Sequence, residues 1–250
     1  MKPPILALIH GWGLGRAAWT PVVDALAARQ IDVVCVDLPG YGGTRCLTED
    51  FTATARALAD SLPENCVICG WSLGGMLALE AARIAPQQVG GLVLVGCTPS
   101  FTQRSDWPCA QPPELLQSFC EAIATDAPAT LKRFFGLVNQ GDTHARSISR
   151  LMAKPILSAQ QPDTATLLTG LHWLRDVDLR PHIASIAAPA LIIHGDTDPL
   201  MPLTAAEWLR KTLPQSRLEV FSGAAHAPFL NDPERFAALL GDYCHALARH

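Results

Sequence analysis

Charge is scarce in this chain. Only 17% of its 250 residues are charged, and 23 acids against 19 bases leave a formal net charge of -4. Without a basic field there is nothing to hold a nucleic-acid backbone, and no nucleic-acid partner is expected. Long hydrophobic runs are missing as well: no segment approaches the ~20 apolar residues that a bilayer crossing needs. The opening MKPPILALIHGWG carries one lysine, and its apolar stretch ends at His10, too short for a secretory leader. A cytoplasmic protein without membrane contact is the expectation. There is no internal repeat or low-complexity tract. The histidines lack the paired spacing of metal ligands, so neither a metal nor another cofactor is expected, and a monomer is. Eight cysteines are scattered from Cys35 to Cys244 rather than set in a compact framework. Cys66 and Cys69 form a C-x-x-C, but in an extended strand residues three apart point to opposite faces and lie roughly 10 Å apart. A disulfide needs less than about 7 Å, so the pair reads as two buried strand cysteines.

What the chain has is apolar material, 49% of it, enough for a sizeable core. Its apolar runs alternate with helical periodicity. Strands are expected at Ile5 to Ile9, Ile31 to Val36, Cys66 to Cys69, Leu92 to Val95, Ala190 to His194 and Leu218 to Phe221. Helices are expected from about Ala17 to Arg29, Phe51 to Leu62, past Ser72 to Ala82, Thr204 to Thr212 and Pro233 to Ala248. That alternation implies an α/β fold, a mostly parallel sheet with helices on both faces. From Phe101 to about His182 it stops, and apolar positions at helical spacing are broken by Pro108, Pro112, Pro113, Pro128, Pro155 and Pro162. Several short helices inserted as a cap over 101–182 are expected, with 1–100 and 183–250 forming the body.

The informative stretch runs from Asn65 to Ala82. An apolar strand breaks into Gly70-Trp71-Ser72-Leu73-Gly74 and continues as a helix. In G-x-S-x-G the serine sits on a strained strand-to-helix turn, and a Cβ at either glycine would crowd the neighbouring strand and helix. Ser72 is the candidate nucleophile, and the N-terminus of the following helix favours an anionic intermediate. A serine hydroxyl attacks only when a base takes its proton and an acid orients that base. Two later loops supply candidates: Asp196 and Asp198 just past one strand, and His226 just past the last. The N–H of Leu73, next to the nucleophile, is a candidate oxyanion donor.

Together these segments resemble a serine α/β-hydrolase. Within that superfamily the chain is similar to the bacterial carboxylesterases of biotin synthesis, which act on the methyl ester of pimeloyl-acyl-carrier protein. The resemblance runs through H-G-W-G-L, V-D-L-P-G-Y-G, G-W-S-L-G-G, R-S-D-W-P, K-R-F-F-G-L, V-D-L-R and A-A-H-A-P-F. It implies Asp198, three residues after Gly195, as the acid, with Asp196 holding the turn, and Trp12 as the second oxyanion donor. His10 and His194 then read as structural. The family's N-terminal hairpin has no counterpart before Ile5, which leaves the sheet edge with less cover.

Phe134, Phe135, Gly136, Leu137 and Val138 form a largely apolar run suited to roofing an acyl chain, and the resemblance places substrate there too. Lys132 and Arg133 flank it; Arg146, Arg150 and Lys154 then recur every fourth residue, while Asp142 is the only acid between Pro128 and Pro155. Carrier proteins are acidic, so this stripe suits a carrier-bound ester by charge complementarity; an ordinary solvated helix face fits it equally. Two other functions keep the same motifs: an esterase, lactonase or C–C hydrolase of small molecules, and a ligand receptor with an idle triad.

Overall fold

A computed structural model describes residues 2–45, 48–150 and 160–249. Among them, β1 (Leu6–Ile9), β2 (Val33–Val36), β3 (Cys66–Trp71), β4 (Val89–Val95), β5 (Ala190–Gly195) and β6 (Ser216–Phe221) build one sheet. All pairings are parallel, in the order β2-β1-β3-β4-β5-β6. Every residue of β1, β3 and β5 is buried, which is why these strands read as unbroken apolar runs rather than alternations. β2 forms one edge and leaves Val34 40% exposed.

The helices of the described residues include α1 (Thr20–Ala27), α2 (Phe51–Ser61), α3 (Leu73–Ile84), α4 (Pro113–Val138), α5 (Thr164–Asp176), α6 (Leu203–Thr212), α7 (Pro228–Asn231) and α8 (Pro233–Leu247), and residues 145–150 are helical too. Parallel crossovers are right-handed. The β1-to-β2 connection steps toward one edge and the later ones toward the other, so α1 lies on one face and α2, α3 and α6 on the opposite face. α8 returns to pack against α1, and α2 lies along α3. Strand order reverses between β1 and β3, and a crevice opens beyond their carboxyl ends, where open α/β sheets hold ligands. The loop after β1 and the serine turn after β3 meet at that crevice.

One expectation needs correction. The single helix from Ala17 to Arg29 is a 3-10 turn, Arg16–Trp19, followed by α1. Pro21 lacks an N–H and fits only the first turn of a helix, so the helix restarts just ahead of it. The insertion holds several helices, as expected: α4 is two segments that meet at a kink at Asp126 (φ -152°, ψ 87°), residues 145–150 are helical, and α5 follows. The bend is where Pro128 demands one: Asp126 Oδ1 accepts from the Ala129 N–H at 3.0 Å, capping a second segment whose first turn contains the proline. Ahead of α4, the R-S-D-W-P segment is clamped to V-D-L-R. Arg180 binds Asp106 at 3.0 Å and Asp178 at 2.7 Å, and its guanidinium lies 5.3 Å from the centre of the Trp107 ring. Residues 74 positions apart thus form one ion-pair and cation–π joint.

Candidate active site

Ser72 is 6% exposed and holds φ 57°, ψ -120° between β3 and α3. L-residues rarely adopt that conformation, and the packing around it permits no other. A Cβ at Gly70 would strike the Gly74 carbonyl, one at Gly74 would stand 2.5 Å from the His10 carbonyl, and one at Gly75 2.8 Å from Cys97 Sγ. Ser72 N–H donates to the Val95 carbonyl at 2.9 Å, fixing the turn to the end of β4. The next residue there, Gly96 (φ +48°), lies beneath His226: a Cβ would be 3.1 Å from Nδ1 of that ring and 3.3 Å from Cε1. Serine and imidazole therefore flank the same strand end. Trp71 ties them further, its indole Nε1 donating to the His226 carbonyl at 2.8 Å.

His226 is 1% exposed. Its Nδ1 lies 2.7 Å from Asp198 Oδ2; the carboxylate accepts, so Nδ1 carries the proton and Nε2 keeps a free lone pair. Among the described residues the buried Nε2 has no hydrogen-bond partner, Ser72 Oγ included. Contacts of this kind are commonly long before substrate arrives. The Asp198 side chain is 0% exposed. Burial pushes its pKa up, but His226, His194 and the N–H of Met201 outweigh that and hold it below the usual aspartate range. Oδ1 accepts from the N–H groups of Leu200 at 2.8 Å and Met201 at 2.9 Å. Asp196 is exposed instead and accepts from Ser222 Oγ at 2.9 Å and Gly223 N–H at 2.7 Å, clamping the loop that carries His226.

The N–H groups of Trp12 and Leu73 have no protein partner among the described residues. The loop holding Trp12 is braced by His10, fully buried, whose Nδ1 donates to the Gly11 carbonyl at 2.7 Å and whose Nε2 accepts from Leu38 N–H at 3.0 Å. Burial lowers its pKa from 6.5 to about 4. Between those values the unfolded chain binds more protons than the folded one, so stability falls as pH drops from about 6.5 to about 4, by roughly 3 kcal/mol at full effect. His10→Gln, which keeps an acceptor for Leu38, is expected to flatten urea-unfolding free energy across that window. An unchanged acid slope would assign the loss to other groups.

Beside Trp12 lies a narrow cavity of about 20 Å³, room for little more than a water molecule, lined by nine apolar residues. Trp12 and Phe134 are among them, at 4.8 Å between ring centres and nearly perpendicular. Phe101, Phe119, Leu171 and Leu200 contribute as well. Phe135, Gly136, Leu137 and Val138 do not line it, because five consecutive residues of a helix cannot face one cavity. Gly136 is open to solvent, and Val138 uses its carbonyl to accept from His226 N–H at 3.2 Å. Trp12 Nε1 donates to the Leu167 carbonyl at 2.8 Å, and Gly170 makes room for its indole, a Cβ there being 2.6 Å from Trp12 Cδ1. Lys132, Arg133, Arg146 and Arg150 are exposed, and Lys154 lies outside the described residues. Cys66 and Cys69 are free, buried in β3, their thiols pushed up by burial, Cys66 to about 11.

Sequence reasoning missed Trp71 as a brace for the base. It read His194 as structural, and that ring's Nε2 donates to the Met201 carbonyl at 2.7 Å while lying 3.6 Å from Asp198; it missed Gln111, whose amide donates to the Pro199 and Leu200 carbonyls at 3.0 and 2.9 Å. Leu171 and Phe119 share helical spacing with ordinary core positions, so nothing in the pattern marked them as cavity wall.

The Alpha/beta hydrolase family model matches residues 6–239, every strand of this sheet included, and the chain belongs to that family. Two of its relatives are more particular. Pimeloyl-[acyl-carrier protein] methyl ester esterase of Aromatoleum aromaticum is 40% identical over 97% of this chain and 98% of its own length. The protein of that name in Nitrosomonas europaea is 39% identical, over 94% and 93%. Among solved structures, an esterase from Exiguobacterium antarcticum, 26% identical, matches with a TM-score of 0.88 over 98% of this chain and 93% of that one. No helix of the described residues is long and apolar enough to cross a membrane.

Proposed function

We propose that this chain is a carboxylic-ester hydrolase that removes the methyl ester from pimeloyl-acyl-carrier protein and so serves biotin synthesis. The observation that carries the reading is the 40% identity to an esterase of that name across 97% of the chain, insertion included. Ser72 Oγ attacks the ester carbonyl while His226 Nε2 takes its proton. The N–H groups of Trp12 and Leu73 hold the oxyanion, and Asp198 stabilises the imidazolium. The imidazolium returns the proton to the leaving methoxide, releasing methanol and an acyl-enzyme. His226 then deprotonates water, which frees the acid and restores Ser72.

The apolar lining beside Trp12 and Phe134 suits the methylene chain, and its narrow cavity must widen to admit one. Residues 101–182 act as a lid on the body formed by 1–100 and 183–250, with Lys132, Arg133, Arg146 and Arg150 as the face for an acidic carrier. The protein works as a monomer in the cytoplasm, a setting that free thiols such as those of Cys66 and Cys69 suit. The test compares carrier-bound pimeloyl methyl ester with free dimethyl pimelate and p-nitrophenyl acetate. At least a tenfold higher kcat/KM for the carrier-bound ester, shrinking as salt rises, is expected. Equal values would support the small-ester reading instead.

A further inference from the structure

The loop that presents His226 is held by the insertion as well as by the body of the fold. The His226 N–H goes to the Val138 carbonyl at 3.2 Å, and the neighbouring Ala225 N–H goes to Asp142 Oδ2 at 2.9 Å. In return, Thr143 N–H donates to the Gly223 carbonyl at 2.9 Å. Asp142 is only 8% exposed. Its Oδ1 accepts from His144 N–H at 2.7 Å and from Asn231 Nδ2 at 2.9 Å. Three hydrogen bonds to one carboxylate are charge-assisted and directional. They join the end of α4, the base loop and the end of α7 into one knot. Gly141 turns the chain there at φ +89°, and the approach is close enough to need Gly223 (φ +73°), where a Cβ would be 2.8 Å from Thr143 Cγ2.

The imidazole is fixed at Nδ1 by Asp198 and along its main chain by three neighbours: Trp71 from the elbow, Val138 from α4, and Asp142 through Ala225. We propose that Asp142 is a positioning residue for the base, setting where His226 stands relative to Ser72. The insertion thus completes the proton-transfer apparatus as well as roofing the substrate. This inference rests on the reading of His226 as general base. Asp142 touches neither substrate nor imidazole and acts through the backbone at 225. A misplacement of about 1 Å in a reacting group is enough to slow turnover on the order of a hundredfold.

The experiment uses the full chain with Asp142→Ala, Asp142→Asn, the exchange pair Asp142→Asn with Asn231→Asp, and His226→Ala as control. Kinetics are read on carrier-bound pimeloyl methyl ester and on p-nitrophenyl acetate, with fluorophosphonate labelling of Ser72 alongside. Asp142→Ala is expected to lower kcat about ten- to hundredfold on both esters with KM within about threefold, and to slow labelling by the same factor. The exchange pair keeps one donor and one acceptor between positions 142 and 231, so it is expected to recover part of the rate lost in Asp142→Asn. A purely roofing role would raise KM for the long ester and spare the small one, and that result overturns the proposal. So does a kcat within twofold of the parent, or an exchange pair no faster than Asp142→Asn. Should Asp142→Ala fail to fold, the comparison of those last two proteins decides. Normal turnover by His226→Ala would overturn the base assignment itself, a separate outcome.

Discussion

Ser72→Ala is expected to abolish ester hydrolysis, with kcat falling on the order of 10⁶-fold, while the protein stays folded. The side chain lost is one hydroxyl that makes no hydrogen bond among the described residues, and alanine fills the same space. Alanine also meets the same left-handed backbone, φ 57°. Ser72→Gly separates strain from chemistry: glycine adopts that conformation freely, so this variant should be about 1 kcal/mol more stable than Ser72→Ala and equally inactive. Urea melts and initial rates on the carrier-bound ester check both statements. Wild-type turnover in either variant would end the acyl-enzyme account, and a large loss of stability in Ser72→Ala would mean that the hydroxyl holds the turn together.

Asp198→Asn is expected to lower kcat on the order of 10⁴-fold with KM little changed. Oδ1 of Asp198 accepts two backbone N–H groups, from Leu200 and Met201, so the amide must turn its oxygen to them and present its NH₂ to His226 Nδ1. Facing a donor, Nδ1 must become the acceptor, and the proton moves to Nε2, the atom that has to receive hydrogen from Ser72. The wrong tautomer, more than the lost charge, stops the reaction. The same substitution alters acid stability with a definite sign. Asp198 is held below its ordinary pKa in the folded protein, so its contribution is present above about pH 4, the unfolded value, and is lost as pH falls through the folded one. Asp198→Asn lacks that component; a scan of unfolding free energy below pH 4 reads it. A kcat within tenfold of the parent would move the acid role elsewhere, and Asp196, exposed and committed to Ser222 and Gly223, is poorly placed to take it.

Legibility in the sequence followed the range over which each signal acts. G-W-S-L-G was readable because its constraint is local: a turn this tight excludes Cβ atoms at 70 and 74 whatever the rest of the chain does. Asp198 and His226 were findable because each follows a strand end, and parallel sheets collect those ends at one edge. Pro128 foretold a break, and α4 bends there. Of Phe134 to Val138 only Phe134 lines the apolar cavity, since contiguity in sequence says little about a shared wall when a helix turns 100° per residue. Asp142 gave no signal of its role. It read as the one acid in a basic stretch, and only its burial against Ala225 and Asn231 distinguishes it from a surface charge.

By itself the amino-acid order determined the strand and helix rhythm, the nucleophile turn, and two loops able to supply acid and base. These depend on steric rules and hydrophobic period acting over a few residues. Tertiary structure set Asp198, which the resemblance already favoured over Asp196, against the imidazole, and it alone decided which of five roof residues meets the cavity and how Gln111 and Asp142 brace the loops after β5 and β6. Those contacts span 26 to 89 positions of chain, and a hydrogen bond formed across such a distance has no local pattern for the sequence to carry.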